Sequence, residues 1–383
     1  MIAIRYKNSS DYNTTNWCRN SLAQETPAKS WLGRRAYELD RLNQAEQELS
    51  SVVNRYQDLS ESFANELTRE NLSDTVDKFG KHLWTRAVQD IQSGNLDDRP
   101  LYWTRLRMLQ ILRDKGFSTA AKAFDHCSRG LHSQDTRDSQ IIVTGFDPYR
   151  LNSHIDQCNP SGLIALSLQG QRIHDFGINT AVFPVRYADF DEDHCIEHYM
   201  QDSLQSKSVV LFVTSSMGRQ HFDIDRFPLG RRTASAPDNC GVVCSNEIIK
   251  PFKGIACPTI EEKSARHQEF VEASLPTDLF DSSQPYGNWK TVLNKEVETM
   301  EKGVFNASSL DDLQNQTGVQ GSGGGFLSNE ISYRSILCLK HLGMEIPVGH
   351  IHVPRIDGYH RENLKFVLDQ FRSILFAIVN QIK

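Results

Sequence analysis

Leu39, Leu42, Leu49, Val53, Tyr56, Phe63 and Leu67 recur close to heptad spacing, and the spacing predicts one long amphipathic helix. SDTVDKFGKHLWTRAVQDI follows as a second helix, with Ser73 or Asp74 as its cap. PLYWTRLRMLQILRDKG begins on a proline, which a first helical turn tolerates, and stops at Gly116. STAAKAFDHCSRGL gives a last short helix. Residues 1–135 are therefore expected to form an all-α domain, a bundle or hairpin packed on itself or on the rest of the chain. A dimerisation arm or a lid over a site is the functional alternative. No catalytic constellation lies within it.

The pattern changes at SQDTRDS, a polar stretch of the kind that separates domains. QIIVTGFDPY then reads as a buried strand ending in a glycine turn. NPSGLIALSLQG reads as a helix capped near Asn159, with Pro160 in its first turn. INTAVFPVRY is a second strand, HCIEHYMQDSL a helix, and SVVLFVTSSMG a third strand ending in small residues. EIPVGHIHVP is a further strand, and RENLKFVLDQFRSILFAIVNQI the closing helix. Strands alternating with helices predict a three-layer α/β/α domain with a mostly parallel twisted sheet over residues 136–383. Sites in such sheets lie at the carboxyl ends of the strands. GNWKTVLNKEVETMEKG is helical in character, within a stretch between 250 and 320 that also allows a hairpin, an insertion or a flap.

Composition narrows the partners. A net charge of -6 gives no reason to expect nucleic acid. No apolar run has the length of a membrane span, and the N-terminus lacks the apolar stretch of a secretory signal, so a cytoplasmic protein is expected. The eight cysteines are scattered, which argues against a disulfide framework. Cys240, Cys244 and Cys257 lack a fourth ligand at any standard metal spacing, so buried free thiols are expected and no metal.

Candidate chemistry lies in three places. Ser328 follows the glycine run GSGGG and stands before a helix carrying Ile331, Ser335, Cys338 and Leu339. His350 and His352 alternate on a strand and so share a face. Asp223 and Asp225 follow a strand-ending turn. Each alone has an ordinary structural reading: a helix cap, a hydrogen-bonded core histidine, a polar turn. Together they supply what acyl transfer needs: a nucleophile, an imidazole to take its proton, a carboxylate to orient the imidazole, and backbone donors for the oxyanion.

Over roughly residues 140–380 the chain resembles the pyroglutamyl peptidase I (pyrrolidone-carboxylate peptidase) family. VTGFDPY resembles the family's VTGFEPF, and Asn159-Pro160-Ser161 its NPS. FPVRY, GRQHFDIDRF and Pro237-Asp238-Asn239 are similar to its second-strand motif, its glutamate-bearing segment and its PDN. FLSNEISYR and GHIHVP resemble its nucleophile and histidine motifs. The resemblance implies an α/β/α fold and removal of an N-terminal pyroglutamyl residue, with a peptide or small amide as substrate and no cofactor. It also allows a homo-oligomer. It places Ser328 on the nucleophile, His352 on the base and Asp225 on the orienting acid. Phe146 and Tyr149 fall on the aromatic residues that sandwich the lactam ring, with Asn159 and Phe326 beside them. His350 falls on a position that is usually aromatic and reads as a packing residue.

The departures are a serine for the family's cysteine, an aspartate for its glutamate, and Ser235 for an active-site arginine. Arg219, Arg231 and Arg232 are candidates to replace that arginine. A serine hydroxyl depends on its base more than a thiol does, and Asp225 is one methylene short. The set remains complete in type for a serine hydrolase. The alternatives are an inactive relative that binds a pyroglutamyl-like terminus, a cysteine deliberately replaced at Ser328, and a scaffold.

Overall fold

The computed structural model describes residues 31–131, 139–206, 208–245, 247–249, 268–277, 280 and 289–382. The domain boundary expected around residue 135 falls outside them, as do Cys18 and Cys257.

The first region is all helical: α1 (Ala36–Glu48), α2 (Ser50–Val53), α3 (Gln57–Glu66), α4 (Leu72–Gln92), α5 (Arg99–Asp114) and α6 (Ala121–Cys127). The single long helix expected over Leu39–Leu67 is three helices, broken at Leu49 and again at Asn54–Tyr56. The breaks re-aim the apolar stripe. α1 packs on α5, while Phe63 turns onto Phe79 and Phe124 with ring centroids 5.4 and 5.3 Å away. The cap of α4 is Asn71 rather than Ser73 or Asp74. Its side chain accepts from the Thr68 N–H and hydroxyl, a local turn that starts the helix earlier than the sequence suggests.

The second region runs β1 (Gln140–Phe146), α7 (Pro160–Leu168), β2 (Arg172–Ile173), β3 (Phe176–Phe183), α8 (Tyr187–Asp191), α9 (Cys195–Ser206), β4 (Val209–Met217) and β5 (Phe222–Asp225). It continues with β6 (Arg231–Arg232), β7 (Glu247–Ile248), β8 (Thr291–Asn294), β9 (Glu296–Thr299), β10 (Gly303–Asn306) and β11 (Gly318–Gln320). It closes with α10 (Leu327–Leu342), β12 (Val348–Val353) and α11 (Arg361–Gln381). The main sheet has the order β2-β3-β1-β4-β12-β5-β8. The ladders β3-β1-β4-β12 are parallel, β5 is antiparallel to β12, and β8 is parallel to β5. This is the expected mostly parallel α/β/α sheet after an all-helical region.

Alternation along the strands sorts their residues between two cores. Ile141, Val143, Leu211, Val213, Ile224, Ile351 and Val353 face α7, α11 and the N-terminal helices. Ile142, Phe212 and Val348 face α9 and α10. His350 and His352 on β12, and Asp223 and Asp225 on β5, therefore project to the α10 side.

Every residue of α7 is buried. A helix apolar all round needs cover on every side. β1 and β3 cover one face, and α4 and α11 cover the other. The N-terminal helices are thus a wall of the α/β domain's own core. A buried ion network joins the regions at the same place. Asp147, just after β1, takes Arg105 at 2.9 Å and Arg129 at 2.6 Å. Arg186 pairs with Glu38, Asp125 and Asp189 at 2.9, 3.0 and 2.8 Å.

The helix expected over GNWKTVLNKEVETMEKG is not formed. β8 and β9 occupy it, β10 starts at its last residue, and β9 and β10 join as a hairpin that β11 extends to three strands. Glu and Lys suggest helix by composition, but Val297 and Thr299 are buried between the outward Glu296 and Glu298. That two-residue period is the strand signal.

Candidate active site

The site lies where the carboxyl ends of β4 and β12 meet the start of α10. His352 sits one residue from the end of β12, and β5 places Asp223 opposite it and Asp225 opposite His350. The Asp225 carboxylate reaches diagonally to His352: Oδ2 is 2.9 Å from Nδ1. Asp225 is buried, and among the described residues neither of its oxygens receives a well-aligned hydrogen bond. The contact is an ion-pair separation with poor angles, as a side chain one methylene shorter than glutamate would give. Burial is the largest single influence on the His352 pKa and pulls it down, but the charge and hydrogen-bonding contact of Asp225, with the charge of Asp223, together outweigh it and the net shift is upward.

His350 is fully buried, and its Nδ1 and Nε2 lie 2.8 Å from the hydroxyls of Thr214 and Ser216. Burial, and then the neighbouring His352, push its pKa well down, so it is neutral. Asp225, His350 and His352 bring ligand atoms within 4.8 Å of one another. Both His350 nitrogens are already engaged by these hydroxyls.

Ser328 is the second residue of α10, not its cap. Phe326 is the N-cap and gives no side-chain cap bond, so the first-turn N–H groups have no side-chain cap among the described residues. The Ser328 hydroxyl donates to the Gly323 carbonyl at 3.3 Å; among the described residues it makes no hydrogen bond to His352. Gly323 lies between the two halves of the site. A Cβ there would sit 2.9 Å from Asp225 Oδ2, so a larger residue would have to displace the carboxylate or the loop. Gly218, after β4, is constrained likewise, because a Cβ would meet the His352 Cβ at 2.7 Å.

The glycine run is held from several sides. Gly321 and Gly324 exchange backbone hydrogen bonds, so their N–H groups are not free for an oxyanion. Thr233 and Ala234 donate to the Gly325 carbonyl at 3.0 and 3.1 Å. The Asn329 amide bonds both the N–H and the carbonyl of Leu229, at 2.8 and 2.7 Å. Glu330 is buried and binds Arg232 and Arg334, fixing the first turn of α10 from below.

The expected substrate residues separate into two groups. Tyr149 and Phe326 meet, with ring centroids 5.1 Å apart. Tyr187 adds an edge against Phe326 at 5.5 Å, and its buried hydroxyl has no hydrogen-bond partner among the described residues. Phe146 instead lies in the core, stacked on Phe190 at 6.4 Å. Asn159 is buried as the cap of α7, accepting from Ser161 N–H and donating to the Asp147 carbonyl. Of the candidate arginines, Arg231 pairs with Glu269, and Arg232 with Glu330 and Asp191. Arg219 lines a cleft with His352 and Asp223, and Ser235 is exposed. Tyr187, Asn329 and Gly323 were not singled out from sequence. Tyr187 follows directly on the strand-end proline turn, and Asn329 adjoins the serine, so both were within reach of it.

Three comparisons bear on this arrangement. Residues 139–288 match the sequence model of the pyroglutamyl peptidase family. Residues 18–129 match a PA0049 N-terminal domain, and residues 281–357 a PA0049 C-terminal domain. Over part of its length the chain is thus a distant match to pyroglutamyl peptidases, with further regions on either side. That match contains Asp225, whereas Ser328 and His352 fall in the C-terminal one. An uncharacterized protein PA0049 of Pseudomonas aeruginosa is 26% identical, covering 74% of this chain and 70% of its own length. A mutant pyrrolidone carboxyl peptidase from the hyperthermophile Pyrococcus furiosus is similar at 17% identity and TM-score 0.43, covering 64% of this chain and 100% of that one. A second structure of that peptidase, described together with its Cys-free mutant, gives 18% identity, TM-score 0.42 and the same coverage. Among the described residues no helix is long and apolar enough to cross a membrane.

Proposed function

We propose that the chain is a hydrolase that removes an N-terminal pyroglutamyl, or similar acyl, residue from a peptide or small amide. The observation that carries this reading is the His352–Asp225 pair, with an imidazole of raised pKa against a buried carboxylate. Ser328 is the nucleophile. Its hydroxyl turns from Gly323 toward His352 when substrate enters, a tightening common in acyl-transfer sites. His352 takes the proton as Oγ attacks the carbonyl carbon, and the first-turn N–H groups of α10 receive the oxyanion. His352 then gives that proton to the leaving amine, and water releases the acyl group by the same route in reverse. Tyr149, Phe326 and Tyr187 give a flat neutral ring two aromatic walls and one spare hydroxyl.

One observation favours a second reading, a binding protein without turnover: the Ser328 hydroxyl already bonds Gly323. Release of a fluorescent amine from a pyroglutamyl amide separates the two. Activity lost in Ser328→Ala establishes the serine hydrolase. A silent native chain with an active Ser328→Cys variant establishes a competent but disarmed site.

A further inference from the structure

The cleft that His352 opens into is not apolar. Asp223 borders it from β5, and Glu296 and Glu298 border it from β9, against the single guanidinium of Arg219. None of the three carboxylates is engaged in an ion pair among the described residues. Val304, 61% exposed on β10, forms an apolar strip beside them. His352 is nine-tenths buried, and its Nε2 has no hydrogen-bond partner among the described residues. The aromatic group of Tyr149 and Phe326 is distinct from this cleft, and no residue of it is among the lining.

Resting on the acyl-transfer reading, we infer that the cleft holds the leaving amine and selects one whose side chain is cationic, a lysine or arginine residue following the scissile bond. The histidine that protonates the leaving nitrogen must lie on the leaving side. Phe326, two residues before Ser328, places the acyl group on the other side. A long basic side chain lays its methylenes over Val304 and its charge among Glu296, Glu298 and Asp223. The hairpin β9–β10 therefore acts as a specificity wall.

The test uses pyroglutamyl-lysinamide, -alaninamide and -glutamamide in which the second residue is Lys, Ala or Glu with a free side chain. Binding to Ser328→Ala is measured by calorimetry and hydrolysis by the native chain. The Lys ligand is expected to bind at least about tenfold tighter than the Glu ligand at low salt. The margin shrinks in high salt and in a Glu296→Gln, Glu298→Gln double variant. Equal binding of Lys and Glu ligands, no binding of the Lys ligand, or a preference unchanged in the double variant overturns the inference. Lysinamide without the acyl group separates the two claims. If it binds in preference to the Glu amide while no pyroglutamyl amide is cleaved, the cleft assignment stands and the hydrolase reading falls. If the alanine substrate is cleaved without any preference for Lys, the reverse holds.

Discussion

His352 Nδ1 lies 2.9 Å from Asp225 Oδ2, yet among the described residues neither oxygen of that buried carboxylate has a well-aligned donor. Distance and direction disagree because Asp225 reaches diagonally across the β5–β12 ladder from a position opposite His350. Asp225→Glu adds the methylene that the diagonal lacks. The variant is expected to raise kcat/KM about three- to tenfold by improving the alignment of the base. Steady-state kinetics on a pyroglutamyl amide would check this, and an unchanged or lower value would mean that Asp225 is already placed for its role.

The same pair sets a pH dependence. Asp225 raises the His352 pKa above its ordinary value of about 6.5, and the base works only when neutral. Activity should therefore rise with pH through a midpoint above that value. Asp225→Asn removes the charge, so the midpoint moves to lower pH while the maximal rate falls about 10²- to 10⁴-fold. For stability the sign is opposite to that of activity. A raised folded-state pKa contributes stability fully present below the unfolded pKa and lost as pH rises through the folded one. Denaturant titrations of the native chain should thus show this contribution on the acid side, and Asp225→Asn should lack it.

Ser328→Cys and Ser328→Ala test the nucleophile. A thiol in the first turn of α10 ionises more readily near the positive end of the helix dipole. The cysteine variant is expected to be at least as active as the native chain, and the alanine variant to lose about 10³-fold or more. Mass spectrometry after reaction with an iodoacetamide probe would show selective labelling at position 328 in the cysteine variant. Labelling no faster than at the partly buried Cys240 and Cys244 would count against activation.

Much of this was legible in the sequence, and the failures have physical causes. The β-branched apolar run of QIIVTGF marked a buried strand, and the alternation in VGHIHV put His350 and His352 on one face. Asn159-Pro160 announced the start of α7, but the same Asn159 was read as a substrate contact, although its side chain is consumed by the cap. Phe146 is buried beside Phe190, in the apolar cluster that Tyr149 and Phe326 pack against, and a strand-end aromatic there serves either core or ring wall. The helix expected over residues 287–303 followed composition where the alternation of Glu296, Val297, Glu298 and Thr299 carried the information. The contact of Asp147 with Arg105 and Arg129 spans a region boundary, and no local pattern encodes it.

That contact is itself open to test. Asp147 has two buried arginines; removing it leaves Arg105 without a carboxylate among the described residues, and Arg129 with Asp125 alone. Asp147→Ala is expected to destabilise the protein by about 3–5 kcal/mol, the usual cost of orphaning a buried ion-pair partner. Urea denaturation would measure it. A loss under about 1 kcal/mol would mean that Asp125 alone satisfies Arg129.

The last prediction concerns the helical region as a whole. α7, PSGLIALSL, has no polar face, and its outer side is covered by α4 and α11. α4 contributes Phe79, Leu83, Ala87 and Ile91 to the core that contains Leu163, Ile164 and Leu166. Deleting residues 1–135 would uncover that apolar surface, strip Asp147 of Arg105 and Arg129, and leave Arg186 with Asp189 alone of its three carboxylates. The remaining fragment is expected to aggregate or to bind a hydrophobic dye strongly, even though it keeps Ser328, His352 and Asp225. Size-exclusion chromatography of the fragment, alone and co-expressed with residues 1–135, distinguishes the outcomes. Rescue by the separate helical piece would show that its role is to complete the core. A monodisperse, cooperatively folding fragment would show that the α/β region stands alone and that the helices serve something else.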